Sequence, residues 1–239
     1  PGHEQANVML GIIRFQQGRM DEAEGLLAPY AEDAGASQIT KMLAAARIQL
    51  ERPDEARSML EELDPEGNDP GVVALIGIAA LSSGDTQLGR ALIEQSLAMA
   101  PDNADLRVRF ARYLIAQGET GEARDQLRTA IERNPESEAP RAFLARYLAE
   151  NGKHEEAVKV LDQWLKTRPK SVFARNVAGD VAQLRGDMAE ARRYYRQAIE
   201  MSSQAPASHH ALGALEARVG NGEAALEHLR QAVRQAPDT

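Results

Sequence analysis

A small residue returns every 33 or 34 positions along this chain, and that interval constrains the fold more than any other feature. Gly11, Ala44, Gly77, Ala111, Ala145, Gly179 and Gly213 form one such ladder. Ala23, Ala56, Gly89, Ala123, Ala157, Ala191 and Ala225 form a second. Pro101, Pro135, Pro169 and Pro237 form a third, with Ser203 in its vacant slot. A fixed period of this length marks a stack of supersecondary units, none of which buries its apolar face alone. Seven units account for the chain, at about 4–36, 37–69, 70–103, 104–137, 138–171, 172–205 and 206–239.

Within each unit the apolar spacing is helical. One periodic stretch ends in a turn such as QGR (17–19), QGE (117–119) or NGK (151–153), and a second runs on to the proline. Glycine at Gly18, Gly84, Gly118, Gly152, Gly186 and Gly220 can take the positive φ that closes a first helix. Acidic pairs such as Asp54-Glu55 and Glu155-Glu156 suit the positive dipole end of the second. Small residues at the ladders let the two helices approach, where a larger side chain overpacks the contact by roughly 1–3 kcal/mol. The expectation is therefore all-α, with about seven helix–turn–helix repeats and no strands. Pro29 should kink or shorten the second helix of unit one, and the PEGNDP stretch (65–70) should shorten the join between units two and three.

Composition removes several classes of function. Cysteine is absent, so disulfides, thiolate metal sites and cysteine nucleophiles are excluded. The longest apolar run, Gly71 to Leu81, is too short to cross a bilayer. Net charge is −8, and residues 1–100 carry 7 Lys and Arg against 16 Asp and Glu, where residues 101–239 carry 21 against 20. No basic stripe is present to neutralise phosphates, which argues against nucleic acid. No signal peptide is visible and the first residue is proline, so the chain reads as an excerpt of a longer one.

These residues resemble the tetratricopeptide repeat. That family places Trp-x-x-Leu-Gly-x-x-Tyr on helix A, Ala-x-x-x-Phe-x-x-Ala on helix B and a closing proline. Unit four matches through Phe110-Ala111, Leu114, Ala123, Leu127, Ala130 and Pro135. Trp164 departs from the pattern, standing where the family has alanine, so helix B of unit five must be repacked or displaced. The resemblance implies a right-handed superhelix, an α-solenoid whose concave face binds protein or peptide ligands.

Helix A repeat positions 5, 9 and 12 lie one residue round from the core stripe, and in the family they line that concave face. In units one to three they include the apolar Ile12, Phe15, Ile48, Ile78 and Leu81, together with Lys41. In units four to six they include Arg112, Arg146, Asn176, Asp180 and Gln183. One reading is a groove with an apolar shelf and two arginines that fork onto carboxylates, with Asn176 holding a ligand backbone. The other is that the arginines pair internally with Asp180, Asp105 or Glu150, and that the shelf packs on upstream units. A clamp for chaperone tails is not supported, because Lys41 is followed at position 9 by Ala45 and Asn176 by Asp180.

The remaining candidates are structural. Arg107, Arg141 and Arg175 recur at helix A position 4, where their stems should pack and their heads pair with acids on the preceding helix. His209 and His210 are adjacent, so they point to different faces and cannot chelate together. The Gly220-Asn221-Gly222 turn follows no strand and is not a dinucleotide loop. No serine or carboxylate sits in an activating context, so neither an enzyme nor a cofactor or metal site is expected.

A closer resemblance is carried by NVMLGIIRFQQGRMDEAEGLLAPY (7–30), KMLAAARIQLERPDEARSML (41–60) and the 72–111 stretch. These are similar to the long repeat lipoproteins of exosortase (PEP-CTERM) systems in Gram-negative bacteria. That resemblance implies a periplasmic or outer-membrane protein, anchored by a lipidated cysteine upstream of Pro1 and linked to exopolysaccharide production and surface-protein sorting. The alternatives are a section of a polysaccharide export or synthase complex, with acidic polysaccharide as ligand, and the substrate-presenting region of a larger enzyme. End-to-end self-association through apolar flanks is also expected.

Overall fold

In the computed structural model, residues 2–31, 37–202 and 204–236 are described. Ser203 and Pro237 of the proline ladder lie outside them. Among the described residues there are fourteen α-helices and no strand. They pair as α1 (Gly2–Gln16) with α2 (Met20–Leu27), α3 (Ser37–Gln49) with α4 (Pro53–Leu63), and α5 (Pro70–Ser82) with α6 (Thr86–Met99). Next come α7 (Ala104–Ala116) with α8 (Thr120–Arg133), α9 (Ala139–Glu150) with α10 (His154–Thr167), α11 (Val172–Leu184) with α12 (Met188–Met201), and α13 (Pro206–Arg218) with α14 (Gly222–Gln235). The all-helical repeat expected from the period is the observed fold. The helices group into two compact units, Pro1–Leu106 and Arg107–Thr239.

The first unit holds the irregular pairs. α2 has only 8 residues and gives way to a 3-10 turn at Ala28–Tyr30, the shortening that Pro29 imposes. The join before α5 contradicts its expectation, since residues 64–69 make six residues where the joins before α7, α9, α11 and α13 have four or five. The cause is Asp64, whose carboxylate accepts the backbone N–H groups of Asn68 at 3.1 Å and Asp69 at 2.7 Å. That capture stops α4 at 11 residues and lets the chain loop out. Asp69 then caps α5 by accepting from Gly71 N at 2.7 Å and Val72 N at 3.1 Å. Ala44, Ala56, Leu60, Val72 and Ile76 make the core between α3, α4 and α5. α5 and α6 approach at paired glycines, where a Cβ on Gly89 would sit 2.8 Å from the Gly77 carbonyl oxygen.

The second unit is regular, and α8, α10, α12 and α14 each have 14 residues. α7 ends as its sequence demands. Gly118 has φ 83°, its N–H reaches Ile115 O at 3.0 Å, and Glu119 N reaches Leu114 O at 2.8 Å. Trp164 does not displace its helix. It is fully buried, donates to Glu138 Oε1 at 3.1 Å and meets Phe173 edge-on at 5.8 Å, so unit five is repacked around it. Tyr113 and Tyr147 stack on Phe110 and Phe143 of their own helices, with ring centroids 6.4 Å apart in each pair.

The position-4 arginines also need correction. Arg107 is buried and donates to Gln126 on the following helix, α8. Arg141 donates to Pro135 O and Ser137 O, and Arg175 to Ser171 O. The heads of Arg141 and Arg175 turn back onto loop carbonyls just before their own helices, which lie within their reach. Burial, with Arg168 nearby, holds the Arg141 guanidinium below its ordinary pKa.

Candidate functional site

In the second unit, α7, α9 and α11 line a cleft of about 440 Å³ that includes Val108, Arg112, Ile115, Phe143, Arg146 and Phe173. Both arginines therefore face one cavity, as their repeat positions require, but they differ in charge balance. Arg146 donates to Asp180 Oδ2 through Nε at 3.0 Å and Nη2 at 2.6 Å. This is the internal pairing held above as the alternative to a two-arginine fork. Arg112 is exposed, with its guanidinium carbon 5.1 Å above the Phe143 ring centroid. No carboxylate pairs with it among the described residues. A cation lying on an aromatic face keeps its in-plane N–H donors open to a ligand.

Asp180 is the first link in a hydrogen-bonded chain. Its Oδ1 accepts from the Tyr195 hydroxyl at 2.8 Å. That hydroxyl accepts from Gln183 Nε2 at 2.6 Å, and Gln183 Oε1 accepts from Arg218 at 3.3 Å. The chain crosses α9, α11, α12 and α13, so it ties three repeats together behind Arg146. Tyr195 is fully buried. Burial and then the Asp180 charge push its phenol well above the ordinary tyrosine range, so it stays a neutral donor. Asn176, one turn before Asp180, is half-buried, and its Oδ1 is buried without a hydrogen-bond partner. It does not line the cleft with the arginines.

The first unit's stripe differs from its expectation. Ile12, Phe15, Ile48, Ile78 and Leu81 are each half-buried rather than an open shelf. Ile48 packs on the α3–α5 core, and Leu81 lies over Gly89, where an added Cβ would come within 2.5 Å of it. Lys41 is engaged by Asp69 at 2.6 Å. The most exposed aliphatics are Met9 on α1 and Leu226 and Val233 on α14 in the other unit, and Leu10 and Ile13 on α1 are exposed as well. Their signal was the apolar flank expected of a stacking repeat, which the reading of groove positions did not name.

Among the described residues no group of three or more His, Asp or Glu is placed to hold a metal ion. His209 and His210 do diverge, yet His209 meets His228 of α14, with the two Nδ1 atoms 3.1 Å apart. No described helix is long and apolar enough to cross a membrane.

Stacked helix pairs with glycine-closed first helices define an α-solenoid repeat protein. Tetratricopeptide-repeat family models match residues 80–132, 114–175 and 174–238, well over half of the chain, and it belongs to that family. No curated protein sequence matches it. Among solved structures, a tetratricopeptide repeat protein from Parabacteroides merdae is similar at 13% identity and TM-score 0.59, over 100% of this chain and 95% of that one. PilW, a type IV pilus biogenesis factor, is similar at 16% identity and TM-score 0.54, over 87% and 96%. A chain of the APC/C hetero-tetramer Cut9–Hcn1 is similar at 17% identity and TM-score 0.54; 98% of this chain is covered but only 46% of that one. At such identities the likeness is one of fold. The fold is that of a protein–protein interaction scaffold, and neither family match is to a catalytic family.

Proposed function

We propose that the cleft between α7, α9 and α11 captures an extended acidic segment of a partner protein, with Arg112 as the carboxylate-binding residue. The observation that carries this reading is the contrast between the two arginines. Arg146 is neutralised by Asp180, while Arg112 stands exposed on Phe143 in an open cleft, with no acidic partner among the described residues. A peptide carboxylate can accept two parallel N–H bonds from such a guanidinium. We assign the chain to the Gram-negative envelope, as part of a lipid-anchored scaffold serving exopolysaccharide production and PEP-CTERM protein sorting. Support for that assignment is the resemblance of the 7–30, 41–60 and 72–111 stretches alone. Acidic polysaccharide offers the same carboxylate chemistry and is the competing ligand.

The test compares Arg112→Glu with Arg146→Ala in capture from a bacterial envelope extract, read by mass spectrometry. The charge reversal at Arg112 should lose the captured protein, and added salt should weaken wild-type capture. Unchanged capture by Arg112→Glu overturns the reading, and capture that survives protease but not glycosidase treatment of the extract assigns the cleft to polysaccharide. Fractionation of the full-length gene product tests the envelope assignment separately.

A further inference from the structure

We propose that His209 and His228 form a two-histidine site for a late first-row divalent ion, which would clip α13 to α14. The residues are 19 apart in sequence and lie on the two helices of one pair. Their Nδ1 atoms are 3.1 Å apart, with ring centroids 5.4 Å apart and planes inclined at 35°. Two imidazole nitrogens bound at about 2.0–2.1 Å to one tetrahedral or octahedral ion lie roughly 2.9–3.4 Å from each other. The observed separation already falls in that span. Only a turn of each ring is needed to aim both lone pairs at a shared point instead of at one another.

Without metal, one Nδ1–H donates to the other Nδ1. Binding moves that proton to the far nitrogen of the same ring and leaves two neutral Nδ1 donors, with water filling the remaining positions. Glu227 is close enough to act on His209 electrostatically and adds negative charge beside the ion. All-nitrogen donors select Cu(II), Ni(II) and Zn(II) over magnesium and calcium. The backbones are held close here, since a Cβ on Gly213 would come within 2.8 Å of Leu229 Cγ. A bridging ion therefore adds to a preformed contact and does not have to draw two separate helices together.

The experiment titrates the purified chain with Cu(II), Ni(II) and Zn(II) in a non-coordinating buffer, reading stoichiometry by calorimetry and melting temperature in parallel. One equivalent should bind through this pair, Cu(II) most tightly, and should raise the melting temperature. His228→Gln should lose that equivalent and the thermal shift, while His210→Gln, altered at an exposed neighbouring ring, should keep both. Equal stoichiometry and equal thermal shift in wild type and His228→Gln overturn the proposal, as does a wild type that takes up no metal. Should His228→Gln fail to fold, paramagnetic Ni(II) broadening of the wild-type histidine resonances decides. Broadening at His209 and His228 supports the site, and broadening confined to His3, His154 or His210 rejects it.

Discussion

The first two repeats and the last three solve the same packing problem with different means. In α1 to α4 the second helices are cut to 8 and 11 residues. There Glu24 binds both Arg47 at 3.0 Å and Arg52 at 2.7 Å, and Lys41 binds Asp69, so charged side chains on the rim tie short helices together. In α9 to α14 every second helix has 14 residues, and buried polar groups do the joining. Tyr195 bonds Asp180 inside the stack, and Glu216, 3% exposed, takes Arg192 at 2.5 and 2.9 Å. The family matches begin at residue 80 and so omit the irregular helices. What survives in both regions is the small-residue ladder. The repeat is thus defined by where helices must approach, and helix length is free to vary around it.

Gly179→Leu should produce the largest effect, because a Cβ there would lie 2.3 Å from the ring of the fully buried Tyr195. We expect a loss of about 3 kcal/mol in urea unfolding. Gly11→Leu in the irregular region meets the flexible tip of Leu27 at 2.7 Å, beside a helix of only 8 residues that can shift. It should cost about 1 kcal/mol. Equal losses would show that the two regions are equally rigid and break the comparison.

Tyr195→Phe comes next. It keeps the ring but leaves Asp180 Oδ1 without its donor and Gln183 Nε2 without its acceptor, at a cost of about 1–3 kcal/mol. A loss below that range would mean that water reaches Asp180 and replaces the hydroxyl.

Acid should separate the regions further. The hydrogen bonds from Arg192, with a further one from Asn221, hold the Glu216 carboxyl down at about 2, against its desolvation. A depressed folded-state pKa stabilises above the unfolded value, and that contribution is lost as pH falls from the ordinary glutamate range toward about 2. Lys41 likewise lowers Asp69 and Arg52 lowers Glu55, but those side chains are 40% and 51% exposed, so solvent screens them. Hydrogen exchange followed from pH 5 to about 2 should therefore open α12 and α13 over this window, and Glu216→Gln should flatten the response.

Much of this fold was legible from the period. The ladder implied about seven helix pairs, as observed, and Gly118 takes the positive φ that its place in the turn demanded. The cleft was legible only in part. Spacing put Arg112 and Arg146 on one face, but it could not choose among Asp180, Asp105 and Glu150 as partners, since side-chain reach rather than register decides. The join before α5 was misjudged because two prolines bound a segment without revealing that Asp64 would capture its backbone N–H groups. His228 was passed over because a contact across two helices leaves no spacing signature when the helices are joined by a turn of independent length.

Glu51 gives the smallest and most diagnostic comparison. Repeat two has no glycine where the others close their first helix, yet the turn is the same, with Arg52 N on Arg47 O at 2.9 Å and Glu51 N on Ile48 O at 3.2 Å. Glu51 accordingly sits at φ 60°, the only non-glycine residue at positive φ among those described. A β-carbon there costs about 1–2 kcal/mol. Glycine removes that strain but gives the unfolded chain more freedom, which takes back about 0.4–1 kcal/mol. Glu51→Gly should therefore raise the urea midpoint by the equivalent of about 0.5–1 kcal/mol with an unchanged slope. The mirror experiment, Gly118→Ala, should lower stability by a similar amount, because it imposes on a regular repeat the strain that repeat two already carries. If Glu51→Gly is neutral while Gly118→Ala is costly, the irregular repeat relaxes its own turn, and the rim ion pairs around Arg52 rather than the backbone set its stability.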